Sequence, residues 1–320
     1  MSDFLRGQMD YLTFVCSLGF ALLSVASLAL RRADDDRLPW FWVGLFALLS
    51  CLAEWQSLVA DSTDYGDQFA ALGACILLCS VVCLVEFCRR AHAGVTDKGP
   101  GWWIHVPFCS LALLGGLAGW DGLYVASRYA LGLVGVLWIP AVLYQVSKKA
   151  NAELRRPLIA AIWICVTHAL LATAIVPKAG FFPASVVNRE TVLGSTGLLV
   201  PVARALLSLA AAAAAWHYYR YVRYVHTGHD SLRRLGRLMA IGVPAILLVG
   251  WVLTLGIGSA SDSWMRADLL SKAETAAASI DLELTDRLAG PPSDAATPEY
   301  KRLRRCLQQA RRRAGVRSRG

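Results

Sequence analysis

The sequence lacks the motifs on which most soluble enzymes and metal proteins depend. Its 320 residues contain no Walker loop, no HExxH or GxSxG motif and no kinase-type nucleotide motif. The nine cysteines form no CxxC pair, so neither a zinc site nor a disulfide framework is expected. The long apolar runs contain no lysine, which excludes a retinal Schiff base. We therefore expect no metal and no cofactor, and the question of enzymatic activity stays open.

Charged residues are also scarce, and apolar residues take their place. Apolar residues make up 56% of the chain and charged residues 17%, whereas soluble domains are roughly 45–50% apolar. Eight apolar runs predict membrane spans at about 11–30, 39–60, 68–88, 102–119, 123–146, 157–177, 197–218 and 238–258. Lipid offers no hydrogen-bond partners, so runs of this length must be helices. The sequence thus predicts an all-α, eight-span bundle over residues 1–258.

Basic residues are concentrated in every second connection between these spans. Fifteen Lys and Arg lie in the connections 31–38, 89–101, 147–156 and 219–237, against three on the opposite side. Connections rich in Lys and Arg stay in the cytoplasm. We therefore predict a protein of the bacterial inner membrane, with the N-terminus and the residues after Gly258 outside the cytoplasm.

Residues 259–320 have a different pattern from the spans. Apolar residues three or four apart from Trp264 to Leu288 predict an amphipathic helix, and Pro298 opens a second one. Two short helices cannot bury a core of their own. The segment therefore resembles the helical start of an incomplete extracytoplasmic domain.

Ionisable groups within the predicted spans are the candidate functional residues, because burying an unpaired charge in a membrane is costly. Glu54, Arg128 and Arg204 all lie toward the outer ends of their spans. They are predicted either to line an outer ligand-binding pocket or to include a buried ion pair that fixes helix register. His168 and Thr167 lie near mid-membrane and form a second candidate polar site.

Other polar residues have simpler interpretations. Glu86 precedes Arg89 and Arg90 by three and four residues, a spacing that predicts a local ion pair on one helix. Tyrosines and arginines alternate around 218–224, where they fit a membrane interface better than a nucleic-acid surface. The expected partners are the lipid bilayer, an unknown small-molecule stimulus and, as an open alternative, a second copy of the chain, with no nucleic acid.

Several short stretches resemble the N-terminal membrane region of bacterial sensor histidine kinases that contain PAS domains. These stretches are Phe4-Leu5-Arg6-Gly7-Gln8-Met9-Asp10-Tyr11, Leu38-Pro39-Trp40-Phe41-Trp42, Ala53-Glu54-Trp55, Asp268-Leu269-Leu270 and Pro298-Glu299-Tyr300. The resemblance implies a multi-span sensor followed by a Cache- or CHASE-like extracytoplasmic domain. It also implies relatives that are histidine kinases or diguanylate cyclases, although no phosphoacceptor or ATP-binding motif occurs in this chain.

The sequence therefore favours the sensory input module of a bacterial signal-transduction protein. A transporter of a small molecule or ion is the first alternative, and it would require broken helices and a polar site at the midplane. A non-functional truncated fragment is the second alternative.

Overall fold

A computed structural model describes residues 9–32, 38–61, 66–196 and 200–227, together with single positions between 248 and 304. Within these residues the regular structure is helical, and Val176 and Asn188 form an isolated β-bridge. The prediction of an all-α protein is confirmed for this part of the chain. The eighth predicted span, 238–258, and the tail helices of 259–320 lie outside the continuously described residues and stay predictions.

The α-helices range in length from 8 to 31 residues, or from about two to about nine turns. In chain order they are α1 (Met9–Leu30), α2 (Trp40–Asp61), α3 (Gly66–Thr96), α4 (His105–Gly115), α5 (Gly119–Ser127), α6 (Val134–Lys149), α7 (Ala152–His168), α8 (Arg189–Thr196) and α9 (Val200–Thr227). Short 3-10 turns flank α4 at Trp102–Ile104 and Gly116–Ala118. Two π-helical segments, Arg128–Leu133 and Ala169–Thr173, join α5 to α6 and extend α7.

Six helical stretches of the described residues are long and apolar enough to cross a membrane. They are Met9–Leu30, Trp40–Leu58, Gln68–Thr96, Trp102–Lys149, Ala152–Leu171 and Val200–Arg223. The fourth stretch is 48 residues long and contains both the fourth and the fifth predicted span. Multi-pass membrane architecture is thus indicated, whereas the count of eight spans is not established.

The chain reverses direction at Gly119 inside this fourth stretch. Gly119 has φ +86°, a backbone conformation that residues with a Cβ rarely adopt. A Cβ built on Gly115 would lie 2.2 Å from the Cβ of Ala126, so the two arms of the hairpin touch through a glycine. Gly115 and Gly119 have the GxxxG spacing, which allows close helix approach. Gly115 makes that approach, whereas Gly119 forms the turn. The predicted spans 102–119 and 123–146 leave residues 120–122 as their connection, but in the structure these residues already belong to α5.

The long helices pack into a closed ring. Helix α1 packs against α2 and α9, α2 against α3, α3 against α5 and α6, α6 against α7, and α7 against α9. A Cβ on Gly19 of α1 would lie 2.2 Å from Oγ of Ser208 on α9, so these two helices meet through a glycine and a small polar residue. The ring leaves a central space between the helices, and the candidate site lies there.

Large apolar side chains cover the outer surface of the ring. Leu117 is 87% exposed, Trp163 66% and Leu206 63%. Water would make this surface unfavourable, because each such side chain loses roughly 1.5–3 kcal/mol of burial free energy when left in water. A lipid environment removes that penalty and agrees with the spans.

The connections rich in Lys and Arg meet at one end of the ring. Nζ of Lys149 donates a hydrogen bond to the carbonyl oxygen of Val95 at 3.4 Å. Nδ2 of Asn151 donates to the hydroxyl of Tyr221 at 2.6 Å. These contacts join the connections 89–101 and 147–156 to the start of 219–237, as the charge pattern predicted. Which side of a membrane this end faces stays a prediction.

Candidate functional site

A cavity of about 450 Å³ lies inside the helix ring, and we refer to it as the charged cavity. Three predicted pocket residues, Glu54, Arg128 and Arg204, all line it, and so does His168 from the second predicted site. Further polar residues of its wall are Thr13, Ser50, Gln56, Ser57, Asp121, Tyr124, Thr173 and Arg189. The structure therefore unites two groups of residues that the sequence presented as separate sites.

An ion pair between distant helices forms one side of the charged cavity. Nη2 of Arg204, in the second turn of α9, donates to Oε1 of Glu54 in α2. Their side chains are only 16% and 12% exposed. The interpretation as a buried pair that fixes helix register holds for these two residues, and the pair also lines the cavity. An ion pair and a place on the cavity wall are therefore compatible, and ligand binding stays a prediction.

Arg128 also lines the cavity and is 5% exposed. Its guanidinium carbon is 5.9 Å from the ring centroid of Tyr124, one turn earlier on α5. Arg128 also begins the first π-helical segment. Such segments recur at functional sites because the extra residue in the turn redirects the neighbouring side chains. Here the irregular turn places a guanidinium against the cavity.

Arg189 is a cavity residue that the sequence analysis missed. It begins α8, and its backbone N–H donates to the carbonyl oxygen of Val176 at 3.0 Å. Burial together with the positive charge of Arg204 lowers the pKa of the Arg189 guanidinium. Asn188, 2% exposed, caps the same helix by accepting the N–H of Thr191 at 3.0 Å. The one available signal was an arginine in an apolar connection on the side otherwise poor in basic residues.

The second predicted site, His168 with Thr167, forms only in part as predicted. Nδ1 of His168 lies 3.0 Å from Oγ1 of Thr173, in the second π-helical segment. Thr167, the partner proposed from the sequence, is half-buried and does not belong to the described cavity lining. Residues i and i+1 of a helix do not face each other, whereas the widened turn brings Thr173 close to the imidazole. His168 and Thr173 therefore replace His168 and Thr167 as the polar pair.

Glu86 forms a separate group of charges, the Glu86 cluster, with Arg89, Arg90 and His105. Arg89 binds both carboxylate oxygens at 2.7 Å, and Nε of Arg90 lies 2.5 Å from Oε1. The predicted local ion pair is thus confirmed. Nε2 of His105, at the start of α4, lies 2.9 Å from Oε2 and adds a partner from another helix, which the spacing alone did not show.

The arrangement in the charged cavity suits reversible binding of a polar solute. Guanidinium, phenol and hydroxyl groups offer hydrogen-bond donors in fixed positions, and they belong to helices held in place by the ring. No known protein family model matches the sequence, and neither a curated protein nor a solved structure shows significant similarity to it.

Proposed function

We propose that this helix ring is the sensory input region of a bacterial signal-transduction protein and that the charged cavity receives the stimulus. The observation that supports this proposal is the convergence of Glu54, Arg128, Arg189 and Arg204 on one cavity. These residues come from segments far apart in the chain. Burying several charged side chains within a membrane protein costs free energy. Such groups are therefore candidates for a functional role.

The cavity also has the geometry that a conformational signal requires. Its lining includes residues of α1, α2, α3, α5, α7, α8 and α9, so a bound solute would contact most members of the ring. A solute that binds one arrangement of these helices better than another shifts the population between them. A difference of about 1–3 kcal/mol in binding free energy is sufficient for such coupling.

The proposed orientation follows from the charge pattern. The end of the ring where Lys149 meets Val95 faces the cytoplasm, and the cavity, near the opposite end, opens toward the outside of a bacterial inner membrane. Labelling of Cys306 with a membrane-impermeant maleimide on intact spheroplasts tests this orientation. Protection of Cys306 until the membrane is permeabilised would reverse the topology and contradict the sensor interpretation.

A chimera tests the sensory function directly. A returning transmembrane helix and a histidine kinase output of known activity are fused after Gly320, and reporter transcription is measured. Glu54→Gln removes the charge that Arg204 contacts, so we expect altered basal output with normal membrane insertion. Arg155→Gln, an exposed arginine outside the cavity, is the matched control. Unaltered output from Glu54→Gln would count against the cavity as an input site.

Transport is the second candidate, and the two π-helical segments at the cavity favour it. Transporters place irregular helix segments beside their substrate site, and Arg128 and Thr173 belong to such segments here. Uptake of solutes that bind the purified protein is measured in proteoliposomes. A solute that binds without accumulating supports sensing, whereas concentrative uptake supports transport.

A further inference from the structure

We propose that the ligand of this helix ring is a small amphipathic molecule, with its polar end in the charged cavity and its apolar end in a second cavity beside it. We refer to this second space as the apolar cavity. The inference names the class of stimulus and rests on the proposed function of the charged cavity. It is drawn from the composition of the apolar cavity, from the residues that the two cavities share and from the size of the space.

The apolar cavity has a volume of about 130 Å³ and lies inside the helix ring. All of its described lining residues are buried or half-buried, so the space belongs to the interior of the ring. Protein interiors are close-packed, with few voids larger than a water molecule. Large apolar side chains form most of the wall, among them Leu23, Trp40, Phe87, Ile139 and Leu158.

The space exists because two helices present small side chains to it. Ala211, Ala214 and Ala215 of α9 line the apolar cavity, and their spacing places them on one face of that helix. Helix α7 adds Ala161. The large side chains of the other helices leave a gap against these alanines.

The apolar cavity favours an apolar group over water. Oγ of Ser208 donates a hydrogen bond to the carbonyl oxygen of Ala205 on its own helix at 2.9 Å. Nδ1 of His168 lies 3.0 Å from Oγ1 of Thr173. These two polar groups of the wall thus have partners within the protein, whereas a buried water needs roughly two to four polar partners. An apolar cavity of about 150 Å³ stays dry and binds benzene, and the apolar cavity here is close to that size.

The apolar cavity and the charged cavity adjoin. Helices α1, α2, α3, α6 and α7 each contribute one residue that lines both spaces, namely Phe20, Phe46, Leu84, Val136 and His168. On α9, Arg204 lines the charged cavity, and Ser208, one turn later, lines the apolar cavity. One molecule at this junction can therefore place a hydrogen-bonding group among the polar side chains of the charged cavity and a hydrocarbon group in the apolar cavity.

The size of the apolar cavity limits the apolar end of the ligand. A space that fits a molecule the size of benzene is too small for the acyl chain of a membrane lipid. A wholly polar solute would leave the space unfilled. Each methylene group that enters it should tighten binding roughly 4-fold. A short amphipathic molecule such as 1-hexanol satisfies both cavities.

Photolabelling of the full chain in phosphatidylcholine nanodiscs tests the site. The probe is 1-hexanol that carries a diazirine, and mass spectrometry identifies the labelled residues. We expect labelling of Leu158 and Leu207, which line the apolar cavity. Excess 1-hexanol should suppress it to the level found on Trp163, a residue of α7 that is 66% exposed and reports probe dissolved in the lipid. Labelling of Leu158 and Leu207 that excess 1-hexanol does not reduce would overturn the proposal.

Competitors at equal mole fraction in the bilayer test the ligand class. We expect 1-hexanol to compete about 10-fold more strongly than hexane, because hexane lacks the hydrogen-bonding group. Hexadecanol should compete more weakly than 1-hexanol, since its chain is too long for the apolar cavity. Equal competition by hexane would remove the role of the charged cavity. Stronger competition by hexadecanol would assign the site to a membrane lipid.

Variants that fill the apolar cavity connect the labelling to that space. Ala161→Leu fills it from α7 and Ala211→Leu from α9, and each should abolish the labelling that 1-hexanol suppresses. Ala160→Leu and Ala213→Leu make the same change at exposed positions of the same two helices and should leave it unchanged. Suppressible labelling that persists in a filled variant, folded by circular dichroism, would contradict the proposal. The competitor series needs no substitution and decides the matter if neither filled variant folds.

The two proposals fail separately. A chimera whose output changes with Glu54→Gln, from a protein without suppressible labelling, overturns the ligand class and leaves the sensory role. Suppressible labelling of the apolar cavity, with an output that neither Glu54→Gln nor added 1-hexanol changes, overturns the sensory role and leaves the binding site.

Discussion

The two groups of charges in this protein, the Glu86 cluster and the charged cavity, are built in opposite ways. Glu86 takes two of its partners from the next turn of its own helix, whereas Glu54 takes its partner Arg204 from a helix 150 residues away. Arg90 in the first group is 52% exposed, whereas Arg204 in the second is 16% exposed. A local cluster stabilises one helix end, and a distant pair joins two parts of the ring.

The two groups lie toward opposite ends of the ring. The guanidinium of Arg90 lies over the ring of Trp42, 5.1 Å from its centroid. Trp42 and Glu54 belong to the same helix and are separated by about 18 Å at the helical rise per residue. The carboxylate of Glu86 is surrounded by three cationic or ionisable groups, while the Glu54 carboxylate borders the charged cavity. The first arrangement is structural, and the second leaves room for a ligand.

The largest expected difference is in the response to losing one arginine. Arg204→Met leaves the Glu54 carboxylate buried without its partner and should lower the free energy of unfolding by roughly 3–5 kcal/mol. Arg90→Met removes a half-exposed partner from a carboxylate that keeps Arg89, and should cost about 0–1 kcal/mol. Reversible unfolding in mixed micelles, followed by circular dichroism, measures both. Equal costs for the two variants would remove the distinction between the groups.

The next difference concerns helix packing at the two ends. Gly19→Ala places a Cβ against Ser208, one turn after Arg204 on the same helix, and overpacking of this kind costs about 1–3 kcal/mol. Gly94, near the Glu86 cluster, is exposed and a Cβ built on it contacts nothing within 4 Å. Gly94→Ala should therefore stabilise the helix by about 0.5–1 kcal/mol. The same unfolding experiment measures the two variants, and changes of the same sign would contradict this assignment.

A smaller effect is expected from the non-local member of the Glu86 cluster. His105→Gln should cost about 0.5–1.5 kcal/mol, because it removes one hydrogen bond between α3 and α4. A double-mutant cycle with Glu86→Gln should give a coupling energy of that size. His92→Gln is the control, since the His92 ring packs near Trp138, 5.9 Å between centroids. If a double-mutant cycle gave His92 and Glu86 a coupling energy as large as that of His105 and Glu86, a general change in packing would be indicated.

The smallest effect is the response to salt, which compares the two groups without a further substitution. Raising the ionic strength from about 0.01 M to about 1 M shortens the Debye length from about 30 Å to about 3 Å. The cost of Arg90→Met should shrink to nothing over that range, whereas the cost of Arg204→Met should stay nearly constant. Unfolding curves of both variants in neutral detergent measure this. A salt-sensitive Arg204→Met would show that water reaches the Glu54 pair.

Much of the helical framework could be predicted because apolar runs of membrane length have few alternatives. The predicted spans 11–30 and 39–60 correspond to α1 and α2 within two residues. The prediction 68–88 ended too early, since α3 continues to Thr96. Arg89 and Arg90 end the apolar run but do not end the helix. Both form ion pairs with Glu86 of the preceding turn, and these pairs are compatible with a continuous helical backbone.

Three charged residues of the cavity could be named from the sequence, but Arg189 and the arrangement of the four could not. A charged residue is easy to recognise within a long apolar run, and Glu54, Arg128 and Arg204 were identified in this way. Arg189 follows a connection in which Ala184 packs against Val125 and Val176. Phe182 and Val186 of the same connection stay exposed, and its apolar sequence would suggest a position on the membrane surface. The path of this connection depends on its packing against other helices. The local sequence pattern does not predict such packing.

The π-helical segments bear on how a signal would leave the cavity. A π-helical turn holds one residue more than an α-helical turn. Transfer of that surplus residue to a neighbouring turn rotates the side chains in between by about 100°, while the ends of the helix stay where they are. Arg128 opens one of these turns and Thr173 closes the other. If the cavity receives a stimulus as proposed, its occupancy would be converted into rotation within a helix, with no need for whole helices to slide past one another.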